Sequence, residues 1–182
     1  HGKAITVSIN NIFVNIKTEG MRSRSFYFEK EIDAVVNSFL VSGYVVSVPR
    51  LNISSSIPTG YGLASSAALM YAITMAINNY NSLFCSKDDI EQIAYYAEHE
   101  ILNILVGKTD TYAVSRRGIL FQDHSVVPPK IIPYPNNDFL NGYTLFIMGS
   151  YPSSYKEVGL IIRQKYASGD KGFKDYKEKV ND

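Results

Sequence analysis

Residues 57–68, Ile57-Pro58-Thr59-Gly60-Tyr61-Gly62-Leu63-Ala64-Ser65-Ser66-Ala67-Ala68, join a glycine-rich turn to two hydroxyl side chains at the head of an apolar run. Glycines let backbone amides come close to a ligand, and a helix N-terminus offers unpaired N–H groups and a positive dipole. Phosphate is the first ligand such a turn would take. Two readings stand side by side: Ser65 and Ser66 cap the helix of an ordinary turn, or they face a phosphate and its Mg²⁺. The spacing departs from both standard nucleotide fingerprints, with no Gly-Lys-Ser/Thr at its end and no evident downstream acid for a ribose.

A second chemical group is Ala97-Glu98-His99-Glu100, followed by Gly107-Lys108-Thr109-Asp110-Thr111-Tyr112. Glu98 and Asp110 flank a break at which the chain can fold back. Phosphoryl transfer needs a hard oxygen ligand for Mg²⁺ and a group that orients or deprotonates the acceptor hydroxyl, and this pair can supply one of each. The plain alternative is a solvated helix face plus an N-cap Asp. His99 points away from its neighbour Glu98 if both are helical, so a structural role is expected of it. His124 falls in a loop with nothing to pair it with Ser65, and a hydrolase triad is not expected.

Composition narrows the field further. The chain has 182 residues, is 46% hydrophobic, and carries 18 basic against 17 acidic residues for a net charge of +1. It can bury a substantial core and has no global field to draw in nucleic acid or an anionic membrane. Its 14 tyrosines show no stripe with interleaved basic residues, so base stacking is not expected. The lone Cys85 and the lack of any zinc-spaced Cys/His set fit a reducing cytoplasm, and no apolar run is long enough for a membrane span.

The elements that must position these groups follow from periodicity. Strands are expected over Ala4–Ile9, Ile12–Lys17 and Ser25–Glu29, then a helix over Ile32–Leu40 ended by Gly43. Tyr44–Val48 and Leu51–Ser55 are expected strands interrupted by Pro49. After the glycine turn, Ala64–Asn79 has few charges and is expected as a helix buried on most sides. Ser86 is an expected N-cap for a helix over Ile90–Ile104 that stops before Gly107. Gly118–Gln122 resembles a strand, and Pro128, Pro129, Pro133 and Pro135 mark a connecting segment. Tyr143–Met148 is an expected buried strand, followed by a Tyr151–Lys156 turn and a Tyr155–Tyr166 helix. The fold class is α+β.

With these two groups together, the chain resembles the GHMP small-molecule kinases. Pro58-x-x-x-Gly62-Leu63-x-Ser65-Ser66-Ala67 is similar to that superfamily's phosphate motif, with Ala64 where Gly or Ser is usual. Ala97-Glu98-His99-Glu100 with Gly107 and Asp110 resembles its galactokinase branch. Lys108 departs from that branch, where the position is usually apolar, and Arg116-Arg117-Gly118 replaces a pair of glycines. The strand at residues 1–9 looks like the one after the family's first motif, and the chain is expected to be a fragment lacking the first and third motifs.

The resemblance implies a ribosomal-S5-domain-2-like N-terminal domain over residues 1–138 and the start of a ferredoxin-like C-terminal domain over 139–182. It implies that Gly60, Tyr61, Gly62, Leu63, Ala64, Ser65 and Ser66 wrap the phosphates of ATP, that Ser66 and Glu98 hold Mg²⁺, and that Asp110 contacts the acceptor hydroxyl. The implied activity is ATP-dependent phosphorylation of a small metabolite, foremost a sugar of the galactose type. Mevalonate or a related acid is the alternative acceptor, and a non-catalytic sugar/ATP sensor on the same scaffold is the alternative from another class.

Overall fold

The computed structural model describes residues 2–9, 11–21, 27–135, 160–162, 164–165 and 167–172. Strand β1 is Lys3–Val7 and β2 is Val14–Met21; helix α1, Glu29–Val41, leads to strand β3, Pro49–Ser55. Helix α2 is Ser65–Tyr80, α3 is Lys87–Tyr96 and continues into a π-turn at Ala97–Ile101, and α4 is Lys108–Arg116. Strands β4, Ile119–Asp123, and β5, Lys130–Pro133, close the described order of elements. Two antiparallel sheets result, β1-β4-β5 and β2-β3.

Helix α2 is the hub, packed against α1, α3, α4, the π-turn and β2. Its apolar residues occupy more than one face, and Ala67, Met70, Ile73 and Ile77 are all buried. Met70, Ile73 and Ile77 share one cluster with Ile32, Ala34, Val35 and Phe39 of α1 and with Leu51, Ile93, Ala94 and Ala97. Each fully buried large side chain contributes about 2 kcal/mol. The buried Ser38 hydroxyl is satisfied: its Oγ donates to the Ile93 carbonyl at 2.8 Å, tying α1 to α3. Ser86 and Asp89 form a capping box at the head of α3, as its sequence predicts.

Several expectations need correction. Of Ser25–Glu29, residues 25 and 26 lie outside the described residues; Tyr27 and Phe28 form a bend and Glu29 opens α1, so no strand exists there among the described residues. Tyr44–Val48 does not join a ladder. Instead the Asn81 side chain holds the Ser47 N–H and carbonyl, each at 2.8 Å, while Tyr44, Val46 and Val48 pack on the core. Pro49 begins β3 rather than interrupting a strand, since a first residue needs no ladder donor.

The expected Ile90–Ile104 helix starts earlier and ends at Ile101, with Asn103 in the left-handed region at φ 52. Helix α4 and edge strand β5 arise where only a break and a connector were expected. In β5, Ile131 and Ile132 supply the strand between two prolines. The Tyr143–Met148 strand, the Tyr151–Lys156 turn and the 138/139 boundary lie outside the described residues. Of the Tyr155–Tyr166 helix, residues 160–162, 164 and 165 are helical.

Candidate active site

The glycine turn delivers the chain to α2 in an unusual way. Ala64, the N-cap, sits at φ 54, ψ 31, a left-handed conformation, and no side chain caps the helix. Gly60 at φ 82 and Gly62 at φ 70 share that hand. Alternation of this kind turns successive backbone N–H groups toward one side, where an anion can be held. The first carbonyl used inside the helix is that of Ala64, which accepts from the Ala68 N–H at 2.9 Å. The amides of Ser65, Ser66 and Ala67 therefore have no intrahelical partner. Capping by Ser65 or Ser66, the plain reading of these hydroxyls, is not what the chain does.

Glu98 reaches the site through the π-turn. The Leu102 N–H bonds back to the Ala97 carbonyl at 3.0 Å and the Ile104 N–H to that of Glu98 at 3.1 Å. Such turns widen a helix by one residue and recur at functional sites. The Glu98 side chain is buried at 1% exposure, and its Oε1 has no hydrogen-bond partner among the described residues. Burial raises its pKa, the neighbouring Ser66 hydroxyl lowers it, and the charge of Asp110 raises it again. Ser66, Glu98 and Asp110 thus share one electrostatic neighbourhood although 44 residues separate the first from the last.

Asp110 stands in the first turn of α4, whose N-cap is Gly107 with no side-chain cap. Asp110 is therefore not an N-cap. Its carboxylate is open to solvent on one side, yet protein crowded around the rest of it raises its pKa. The helix under it is fixed from the β1-β4-β5 sheet. Gln122, fully buried, donates to the Thr109 carbonyl at 3.0 Å and to Thr6 Oγ1 at 2.9 Å, and Ser8 Oγ donates to the Ala113 carbonyl at 3.0 Å.

Gly62, Leu63, Ala64 and Asp110 line one cleft of about 1330 Å³, together with Tyr71 of α2 and Arg117 after α4. Gly60, Tyr61, Ser65, Ser66 and Glu98 are not on its walls. The structure therefore brings the turn and Asp110 to one cavity and places Ser66 with Glu98 beside it. No group of three or more His, Cys, Asp or Glu suited to a metal occurs among the described residues. A buried carboxylate oxygen without a partner beside a serine hydroxyl nevertheless fits Mg²⁺, a hard cation that draws its remaining ligands from water and substrate phosphates.

The histidines do as their sequence context predicts. His99 stacks on Tyr95 with ring centroids 5.1 Å apart, and Lys108 Nζ lies 5.1 Å over that same ring while donating to Gln92 at 2.6 Å. This stack links the π-turn to the head of α4, and Lys108 is its cation. His124 hydrogen-bonds Thr109 and Gln122 instead of facing Ser65. Sequence reasoning missed Tyr71 and Arg117 as cleft residues. The only signal was the Arg-Gly pair at the end of an unrecognised helix.

The described α+β layout places a glycine-rich turn at the head of the central helix with two carboxylates nearby. The family comparison agrees: the sequence model of the GHMP kinases N terminal domain matches residues 27–118, and the chain belongs to this family. Among relatives, it is 28% identical over 144 residues to a galactokinase of Thermosipho africanus, covering 78% of this chain and 40% of that protein. A galactokinase of Thermotoga petrophila is 32% identical over 122 residues, covering 65% and 34%. The chain thus spans well under half the length of these relatives.

Solved structures agree on the fold. Lactococcus lactis galactokinase complexed with galactose superposes with a TM-score of 0.62 at 15% identity, over 72% of this chain and 42% of that one. Methanococcus jannaschii mevalonate kinase gives 0.59 at 18% identity, over 89% and 56%. Among the described residues no helix is long and apolar enough to cross a membrane.

Proposed function

We propose that this chain carries the nucleotide site of an ATP-dependent kinase that phosphorylates a hydroxyl of a small sugar of the galactose type, in a cytoplasmic setting. The observation that carries the reading is Glu98: a buried carboxylate, one oxygen unpartnered among the described residues, beside Ser66 and within the field of Asp110. A buried carboxylate oxygen with no protein donor is one that a ligand can occupy. The relatives' name, galactokinase, supports the acceptor class. Residues 1–138 are taken as the N-terminal, ATP-binding domain and 139–182 as the start of a second domain.

In this reading the amides from Gly60 to Ser66 hold the phosphates of ATP, and Ser66 and Glu98 hold Mg²⁺. When bound, the ion would neutralise phosphate charge as it shifts toward the leaving oxygen. Asp110 orients the acceptor hydroxyl and takes its proton. An O–P bond to the γ-phosphorus forms as the bond to the ADP oxygen breaks, giving ADP and a phosphate ester. Positioning and charge neutralisation supply the rate, without a covalent enzyme intermediate.

The test is ADP formation by the protein expressed from its complete reading frame, with Mg-ATP and D-galactose, other aldoses or mevalonate. Turnover with an aldose supports the proposal. Turnover with mevalonate and no aldose overturns the sugar reading, and binding of sugar and ATP without ADP release makes the protein a sensor.

A further inference from the structure

The two arginines that end α4 are adjacent in sequence and opposite in circumstance. Arg116 is consumed: it bonds Asp88 at 2.8 Å and Glu91 at 2.7 Å, lies over the Tyr112 ring, and lines a separate cleft on the outer side of α3. Arg117 is exposed, lines the same cleft as Asp110 and Gly62–Ala64, and makes no hydrogen bond or ion pair among the described residues. Its charge reaches the phenol of Tyr71 on the facing wall.

The backbone of Arg117 is at φ 53, ψ 167, on the margin of a region populated almost only by glycine. Gly118 follows at φ 75. The turn is pinned from outside: the Gly118 carbonyl accepts the Ser8 N–H at 2.9 Å, and β4 begins at the next residue. A glycine would occupy position 117 without strain. The chain instead keeps there a long cation that has no hydrogen-bond or ion-pair partner among the described residues and that lines a cavity. Strain of this kind clusters at active sites and ligand clamps.

Arg117 lies seven residues beyond Asp110, about 10 Å along the helix axis. Tyr71 is similarly two turns beyond the head of α2. The cleft therefore has a phosphate-turn end, with Asp110, and a far end with Tyr71 and Arg117. We propose that Arg117 binds an anionic group of the acceptor, so that the substrate is a sugar bearing a carboxylate or phosphate remote from the reacting hydroxyl, and not a neutral hexose. This rests on the kinase reading above, with Asp110 at the reacting hydroxyl. A guanidinium recognises either anion through paired N–H donors.

The experiment compares wild-type protein from the complete reading frame with Arg117→Gly and Arg117→Lys. Each is assayed with Mg-ATP against D-galactose, D-galacturonate and galactose 6-phosphate, and each sugar's Kd is measured by calorimetry. The expected result is preferred use of an anionic sugar by the wild type. Arg117→Gly then raises its KM and Kd at least tenfold, leaves the Kd of Mg-ATP within twofold, and melts no lower than wild type. Arg117→Lys retains part of the affinity.

Which anion is preferred separates the carboxylate from the phosphate source. An Arg117→Gly variant with unchanged Kd for both anionic sugars overturns the proposal, as does a loss confined to Mg-ATP. If no sugar yields ADP yet the anionic sugar binds and Arg117→Gly weakens it, the site stands and the kinase reading fails.

Discussion

Two glutamates on one continuous helix, Glu91 in α3 and Glu98 in the π-turn, sit seven residues apart and are almost equally buried, at 4% and 1% exposure. Glu91 is saturated. Ser115 Oγ donates to it at 2.5 Å and Arg116 at 2.9 and 2.7 Å. Glu98 has the Ser66 hydroxyl beside it, the charge of Asp110 nearby, and an oxygen with no donor among the described residues. The helix heads nearby repeat the contrast, because α3 begins in a capping box and α2 begins uncapped on a left-handed alanine. One end of the molecule is built to be complete by itself. In the proposed reading, an anion and a cation complete the other.

The largest effect expected from breaking this arrangement is at Asp110. Asp110→Asn keeps the shape and removes the proposed proton acceptor, and kcat should fall on the order of 10³-fold. Mg-ATP affinity, measured by calorimetry, should stay within a few-fold. Loss of ATP affinity with kcat unchanged would move Asp110 out of the acceptor site. Next comes the saturated pair. Arg116→Ala leaves Glu91 buried with Ser115 as its remaining side-chain donor, and urea unfolding should show a loss of about 3 kcal/mol. A loss below 1 kcal/mol would mean that the α3–α4 clamp is ornamental.

Glu98→Gln should behave in the opposite sense to Arg116→Ala. Without ligand it removes a buried, repelled charge, so stability should hold or rise; with ligand, Mg-ATP binding should weaken about tenfold or more, because a charged oxygen is lost. The pH dependence gives the sign. Burial raises the folded-state pKa of Glu98 above its ordinary 4.5. The folded state then binds more protons than the unfolded one between those two values, so stability falls as pH rises from 4.5 through the folded pKa. Asp110, raised from 3.8 by burial, acts in the same direction. In chelator-treated protein, Glu98→Gln should flatten this decline without abolishing it. Identical slopes for variant and wild type would show that Glu98 carries no penalty to relieve.

What was legible in the sequence follows the same division. Short-range devices were visible: the Ser86 cap with its acids, the helical spacing of Ile32 to Leu40 that underlies α1, and the apolar run of α2, expected at Ala64–Asn79 and found at Ser65–Tyr80. Glu98, Asp110 and the Gly60–Ser66 turn were selected from residue types and spacing, and the fold brings them into one neighbourhood. Helix α4 was missed because Lys108–Arg116 has no apolar stripe to announce it. It is held by Gln122 of the strand that follows it and by Ser8, 105 residues from its partner Ala113. Tyr44–Val48 has strand composition, and only the tertiary contact with Asn81 decides that it pairs with a side chain instead. The π-turn leaves no mark in periodicity over five residues.

The smallest effect sharpens the comparison at the uncapped helix head. An L-residue in the left-handed region costs about 1–2 kcal/mol, and glycine there avoids that cost while adding roughly 0.5–1 kcal/mol of unfolded-state entropy. Ala64→Gly should therefore stabilise the ligand-free protein by about 0.5 kcal/mol, seen as a slightly higher urea midpoint. The amides that would face phosphate belong to the backbone and remain, so Mg-ATP affinity should change less than twofold. If Ala64→Gly instead weakens ATP binding strongly, the methyl group is pre-organising the turn. The site end would then owe its geometry to strain as well as to missing partners.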